Sequence, residues 1–201
     1  MVFLGGLAAI AAGGPEAAAG PVCVPGSTTA PITADAKVSS VHPNRHYGRR
    51  DTWGLNYAPT TARSFLEFDL PTIPVGCSVS KATLGLRGTL SGQPNPPDSW
   101  PGAFVEMTLV RRDWTEAAIT WTNKPGGHGC VAENFEYAHP DSWQITGIVQ
   151  QAYECLRNGG LAEWNGLKAR GWSPRGRGAK WRLVVDSRES AHPPTIEISW
   201  E

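Results

Sequence analysis

The segment from Trp164 to Arg182 (WNGLKARGWSPRGRGAKWR) concentrates chemistry-bearing side chains. Lys168, Arg170, Arg175, Arg177, Lys180 and Arg182 fall there without one acidic residue, and Trp164, Trp172 and Trp181 are interleaved with them. A guanidinium forks onto a carboxylate or phosphate through two parallel hydrogen bonds, while an indole face stacks on a sugar ring or a base. The combination suits an anionic glycan and, by its chemistry alone, a single-stranded nucleic acid. Trp164, Lys168, Arg170, Trp172, Arg175, Arg177 and Lys180 are therefore the candidate ligand-binding residues. The competing structural reading is a solvated, glycine-rich hairpin tip whose tryptophans return to the core. A second, weaker basic patch is Arg45, Arg49 and Arg50, with Tyr47 and Trp53 nearby.

Other reactive types are present without a catalytic pattern. Asp113 with Glu116 and Glu133 with Glu136 are carboxylate pairs close in sequence. Glycoside hydrolysis needs two carboxyls about 5–10 Å apart across a cleft, which sequence neighbours seldom supply. His42 and His46 have ligand spacing for a helix, but Pro43 between them disfavours one. No H-E-x-x-H, G-x-S-x-G or EF-hand loop occurs, and Arg177-Gly178 stands where a phosphate-binding loop needs Lys-Ser/Thr. A lyase would need a base, a neutralising Arg and an acid in one cleft; His128, Tyr137 and Arg111 or Arg112 are its only candidates. The expectation is a protein that is not an enzyme.

Elements must position these groups, and composition restricts them. The chain has 201 residues, with 18 Lys+Arg balancing 18 Asp+Glu, which argues against a dedicated nucleic-acid binder. Gly 23 and Pro 17 make it turn-rich, so long helices are disfavoured and an all-β sandwich is expected. Alternating segments at Ala36–Ser40, Ser64–Leu70, Ser78–Leu90, Phe104–Arg111, Trp181–Asp186 and Thr195–Trp200 read as strands. Residues 147–157 place Ile148, Ala152, Cys155 and Leu156 on one helical face, with Thr146 as N-cap and Gly159 as stop.

Residues 2–14 form an apolar run too short to span a bilayer, followed by small residues at 17–19. Residues 1–19 read as a signal-peptide remnant, although no Lys or Arg precedes the run, and no transmembrane segment is expected. Residues 20–33, rich in Pro, Gly, Ser and Thr, read as a linker or extended arm before a domain at 34–201. Cys23, Cys77, Cys130 and Cys155 contain no C-x-x-C pair, so two disulfides of an exported protein are expected rather than zinc. Three pairings are open; tethering a loop to a nearby element favours Cys23–Cys77 and Cys130–Cys155.

Five motifs then fall in one order: ADAKVSSVHPNRHYG at 34–48, RSFLEFDLPTIPVGCSVSKATLGL at 63–86, VRRDWTEAAITWTNKP at 110–125, WQITGIVQQAYECLRNG at 143–159 and VVDSRESAHPPTIEISW at 184–200. The order resembles the DNRLRE-type domain, which is related to the disaggregatase repeat and to carbohydrate-binding module family 96. The resemblance implies a secreted or cell-surface, jelly-roll-like antiparallel β-sandwich with one short helix and no catalytic residues. It also implies a glycan partner, in some members an acidic polysaccharide. A structural or adhesive protein that binds another protein or itself is the alternative. Modules of this type often carry a structural Ca²⁺, for which Asp35, Asn44, Asp186 and Glu189 offer oxygen ligands. Arg63, Asp69, Trp114, Glu116 and Trp121 lie in the second and third motifs and are expected to be structural, with Arg63 pairing Glu67 along their strand. The sequence departs from the family pattern at Gln144-Ile145-Thr146, at Asn165-Gly166 and in the insertion at 92–102. These departures fall in loops, where specificity resides.

Overall fold

The computed structural model describes residues 21–57, 61–91, 103–126, 133–172 and 181–201. Arg175, Arg177, Lys180, His128 and Cys130 lie outside that set, as does residues 1–19, and so do the side chains of Tyr57 and residues 133–137. Within it the chain forms an all-β antiparallel sandwich with one helix.

The strands are β1 (Gly26–Ser39), β2 (Thr52–Tyr57), β3 (Ala62–Phe68), β4 (Val79–Gly85), β5 (Gly88–Ser91), β6 (Phe104–Leu109), β7 (Glu133–Tyr137), β8 (Ser142–Gln144), β9 (Leu167–Trp172), β10 (Trp181–Asp186) and β11 (Thr195–Trp200); the helix α1 spans Thr146–Arg157. β1 belongs to two layers. Its first half pairs with β11, which continues to β4 and β8. A register shift between Ile32 and Ala34 then carries it onto β3, which continues to β9, β6 and β7. β2, β10 and β5 extend this second layer. The arm expected at 20–33 thus enters the sandwich from Gly26, because Thr28 and Ala30 find antiparallel partners in Ile198 and Ile196.

The main core lies between the layers. Ala82, Leu84, Ile196 and Ile198 from one meet Leu66, Phe68, Val105, Met107, Leu109, Leu167, Ala169 and Leu183 from the other. α1 adds Ile148, Val149, Ala152 and Cys155. Its start corrects the sequence reading: Ile145 is the N-cap position and Thr146 the first helical residue. The Thr146 hydroxyl accepts the Ala82 N–H at 2.9 Å, so it serves β4 rather than the helix end. Gly159, at φ 71°, stops the helix as expected.

Cys23 and Cys77 are disulfide-bonded, closing a sequence separation of 54 residues. Cys155 is also disulfide-bonded, and Cys130, its expected partner, lies outside the described residues. Opening the Cys23–Cys77 loop by a double alanine substitution should lower stability by about 2–4 kcal/mol, the entropy released to a chain loop of that length. Denaturant melts of the oxidised protein and the variant measure it.

Candidate functional site

The strand β9 decides how the basic residues are presented. Leu167, Ala169 and Gly171 alternate with Lys168, Arg170 and Trp172. The first set faces the main core, which places the second on the outer face of the layer. The register fixes their neighbours. Lys168 lies between Phe65 and Thr108, Arg170 between Arg63 and Glu106, and Trp172 beside Phe104. β9 keeps this register because Gly166 turns into it at φ 80° with its α-carbon close to the Leu66 carbonyl, where a side chain has no room.

The segment 110–126 covers part of that outer face. A second core of Ala36, Val38, Phe65, Val110 and Ile119 forms under it, with Trp114 and Trp121 packed against the cluster. Trp114 tilts over Phe65 at 5.7 Å and donates its indole N–H to the Asn165 carbonyl at 3.0 Å. Trp121 is faced by the Arg63 guanidinium at 5.2 Å and the Lys124 ammonium at 4.0 Å from its ring centre. Lys124 is fixed there by donating to the Trp121 carbonyl at 2.7 Å.

The outcome is a cationic patch. Arg63, Lys124, Lys168 and Arg170 gather around Glu106, whose carboxylate is taken by the Arg170 guanidinium. Lys168 is only 5% exposed. Desolvation, reinforced by Arg63 and Arg170, pulls its ammonium down to about 8. Burial lowers Arg63 and Lys124 as well, and each has a neighbouring cation as a further cause. Arg63 Nε, Arg170 Nε and Thr108 Oγ1 are buried without a hydrogen-bond partner. Each such group costs about 1–3 kcal/mol. Trp172 and Phe104 meet edge to face at 5.6 Å at one end of the patch.

The expected binding residues are therefore divided. Lys168, Arg170 and Trp172 share one face, joined by Arg63 and Trp121, which the sequence had assigned to structure. Trp164 leaves the group: its indole N–H reaches the Phe68 carbonyl at 2.6 Å and its ring packs on Phe68. Trp53, in the second patch, is buried in the core at 2% exposure. Arg63 does not pair with Glu67, because residues four apart on a strand are separated by about 13 Å. Asp69 is exposed at the end of its motif. Trp114 holds the covering segment down, as expected of a structural residue.

The proposed oxygen ligands are also scattered. Asn44 accepts from the Thr122 hydroxyl at 2.8 Å, and Asp186 lies 3.8 Å from His192. Asp35 and Glu189 instead meet Glu116, with carboxylate oxygens within 4.8 Å of one another. Three distant motifs thus converge on one cluster, but the cation among them is Arg188. Its Nε and NH2 reach Glu116 at 2.5 and 2.7 Å, and its Nε lies 3.0 Å from Glu189. Its backbone N–H donates to Asp35 at 2.7 Å, while Glu116 also accepts the Asp35 N–H at 2.7 Å, so it serves the β1 edge rather than its own turn. In the structure the positive charge of this cluster comes from Arg188, while Asn44 and Asp186 stand apart from it.

Burial pushes the Asp35 carboxyl up to about 7, with Glu189 and Glu116 adding to the rise and the Arg188 N–H opposing it. A carboxyl raised in the fold holds its proton longer than in the unfolded chain, so stability falls as pH rises from about 4 to about 7 and is level above that. Asp35→Asn should flatten this window and raise the melting temperature above neutrality. Thermal melts across that range check both.

The family model of carbohydrate-binding module family 96 matches residues 26–199, from the first residue of β1 almost to the end of β11. A search of curated proteins finds no match. Among the described residues, no helix is long and apolar enough to cross a membrane.

Proposed function

We propose that this chain, which belongs to carbohydrate-binding module family 96, binds an acidic polysaccharide on the outer face of β3, β9 and β6. The observation that carries the reading is the excess of cations at the Arg63–Arg170 end of that face: Arg63, Lys124, Lys168 and Arg170 against Glu106, bordered by Trp121 and Trp172, with Glu67 and its neighbours Asp113 and Asp69 toward the other end of β3. A neutral sugar would leave that charge uncompensated, whereas uronate carboxylates or sulfate esters supply it. Charge-assisted hydrogen bonds would then fix the anionic groups, with the Trp121 ring holding Arg63 and Lys124 in place beside them. The face needs no nucleophile or paired acids for this, in keeping with a binding module that works outside the cell.

Binding to another protein, or self-assembly, draws on aromatic and apolar anchors. Among the described residues the exposed large apolar side chains are Val22, Val24, Val41 and Val75, with no aromatic group. The glycan reading therefore has the stronger surface.

Affinity electrophoresis in gels containing polygalacturonate, a sulfated galactan or a neutral glucan tests the proposal. Retardation by the acidic polymers that weakens with added salt is expected. Equal retardation in the neutral gel, or none in any gel with a folded sample, would contradict it.

A further inference from the structure

A second group of cations lies on the loop between β1 and β2, outside the face just described. The Arg45 and Arg50 guanidinia each lie 5.3 Å from the centre of the Tyr47 ring, and the Lys37 ammonium lies 5.9 Å from it. Arg45, Arg49 and Arg50 are exposed, and among the described residues none of them forms an ion pair. Beside them opens a depression of about 440 Å³ lined by His46, Tyr47, Arg49, Arg50 and Glu116. Glu116 does not neutralise the arginines, since both its oxygens are held by Arg188 and one also by the Asp35 N–H. Like charges collected on one ring without a counter-ion repel one another, and an external anion relieves that repulsion.

The loop is also coupled to the first face. The Pro43 carbonyl accepts the Thr122 N–H at 3.1 Å, and Asn44 holds the Thr122 hydroxyl. Thr122 directly follows Trp121, whose ring is faced by Arg63 and Lys124. One segment therefore links the two cation groups.

We infer that the Tyr47 loop is a second anion-binding station, so that one extended acidic chain engages Arg45 and Arg50 together with the Lys168 face. The inference rests on the acidic-polysaccharide reading and adds a mode of binding to it: affinity must grow with ligand length. Lys37 supports it, because burial and the nearby Arg182 and Arg50 lower its ammonium, the condition an added anion would reverse. Two stations joined by one ligand turn the second contact into an intramolecular event, which raises affinity by about a hundredfold or more.

The test is calorimetric titration of the full chain with an oligogalacturonate trimer and dodecamer at one ionic strength. The wild type should bind the dodecamer about a hundredfold more tightly than the trimer. In Arg45→Gln/Arg50→Gln that ratio should collapse to about fivefold or less, the part due to repeated binding sites along the polymer. Tyr47→Leu, which removes the ring and keeps the charges, should lower the ratio partway. Thermal melts verify that each variant is folded. A ratio left intact in the double variant overturns the second station while leaving the first face standing. A wild type that binds neither oligomer removes the acidic-polysaccharide reading itself, and this inference with it. A single-stranded oligothymidylate of equal charge that binds more tightly than the dodecamer would also overturn the inference, in favour of a nucleic-acid ligand.

Discussion

Lys168→Met should weaken binding of an acidic polysaccharide about thirtyfold while making the protein more stable. The two effects have one origin. Lys168 is almost fully buried between Phe65 and Thr108, among Arg63, Arg170 and Lys124, and the carboxylate nearest in its electrostatics, Glu106, is already paired with Arg170. Its charge is therefore unfavourable in the free protein. Methionine has a similar length and no charge, so the variant should gain about 1 kcal/mol. On the proposed reading the ammonium takes up an arriving anion, and a charge-assisted hydrogen bond of about 2 kcal/mol corresponds to the thirtyfold loss. pH separates this account from simple packing. The folded ammonium titrates at about 8, below its unfolded value. Affinity should fall as pH rises through about 8 in the wild type and stay level there in the variant. Stability should rise with pH above about 8, because the unfolded chain then binds the extra proton. Titration calorimetry and denaturant melts on both proteins measure all of this. A Lys168→Met variant with lower stability and unchanged affinity would assign the lysine to structure.

Gly166→Ala should have the largest effect on stability, a loss of about 3 kcal/mol or more. Two independent penalties coincide there. The backbone stands at φ 80°, which side-chain-bearing residues rarely adopt. A Cβ would also stand 2.2 Å from the Leu66 carbonyl oxygen and 3.0 Å from its carbon, backbone atoms of β3 that cannot swing aside. The neighbouring Gly166 carbonyl accepts the Val110 N–H, so a shift at this turn also disturbs the start of the segment that carries Trp114 and Trp121. Binding should therefore weaken in the fraction that stays folded. Gly147→Ala is the control, since nothing lies within 4 Å of a Cβ at that position. If the two variants melt alike, the turn does not set the register of β9.

The fold was legible wherever alternation was strong. β3, β6, β10 and β11 follow from their hydrophobic period, and α1 from its buried stripe, because burial of one face imposes a pattern that needs no knowledge of the partner. β9 escaped for the same physical reason in reverse. Leu167, Ala169 and Gly171 form a faint core face, and the alternating Lys168, Arg170 and Trp172 resemble a solvated basic loop. Strict period-two spacing between two glycines was the available signal. β1 escaped over Gly26–Ile32 because Pro31 and the Ser/Thr run imitate a linker, although these residues only pair an edge of β11.

The site was half legible. Residue type marks Lys168, Arg170 and Trp172, and strand register then joins Glu106 to them from more than 60 residues away and Arg63 from more than 100, which no local spacing reveals. From the sequence Trp121 reads as a packing residue, because tryptophan usually packs; that Arg63 and Lys124 stand on its face is visible only in the fold. The acidic residues show the same limit. Asp35, Glu116 and Glu189 stand in three separate motifs, and their common partner, Arg188, is identified by distance alone.

The central claim is that the outer face of β3, β9 and β6 receives the glycan. Mapping amide and side-chain NMR shifts during titration with an oligogalacturonate tests it most directly. The account predicts that the largest changes fall on Arg63, Trp121, Lys168, Arg170 and the Trp172 indole. Changes gathered instead on β4, β8 and β11, with this face silent, would contradict it.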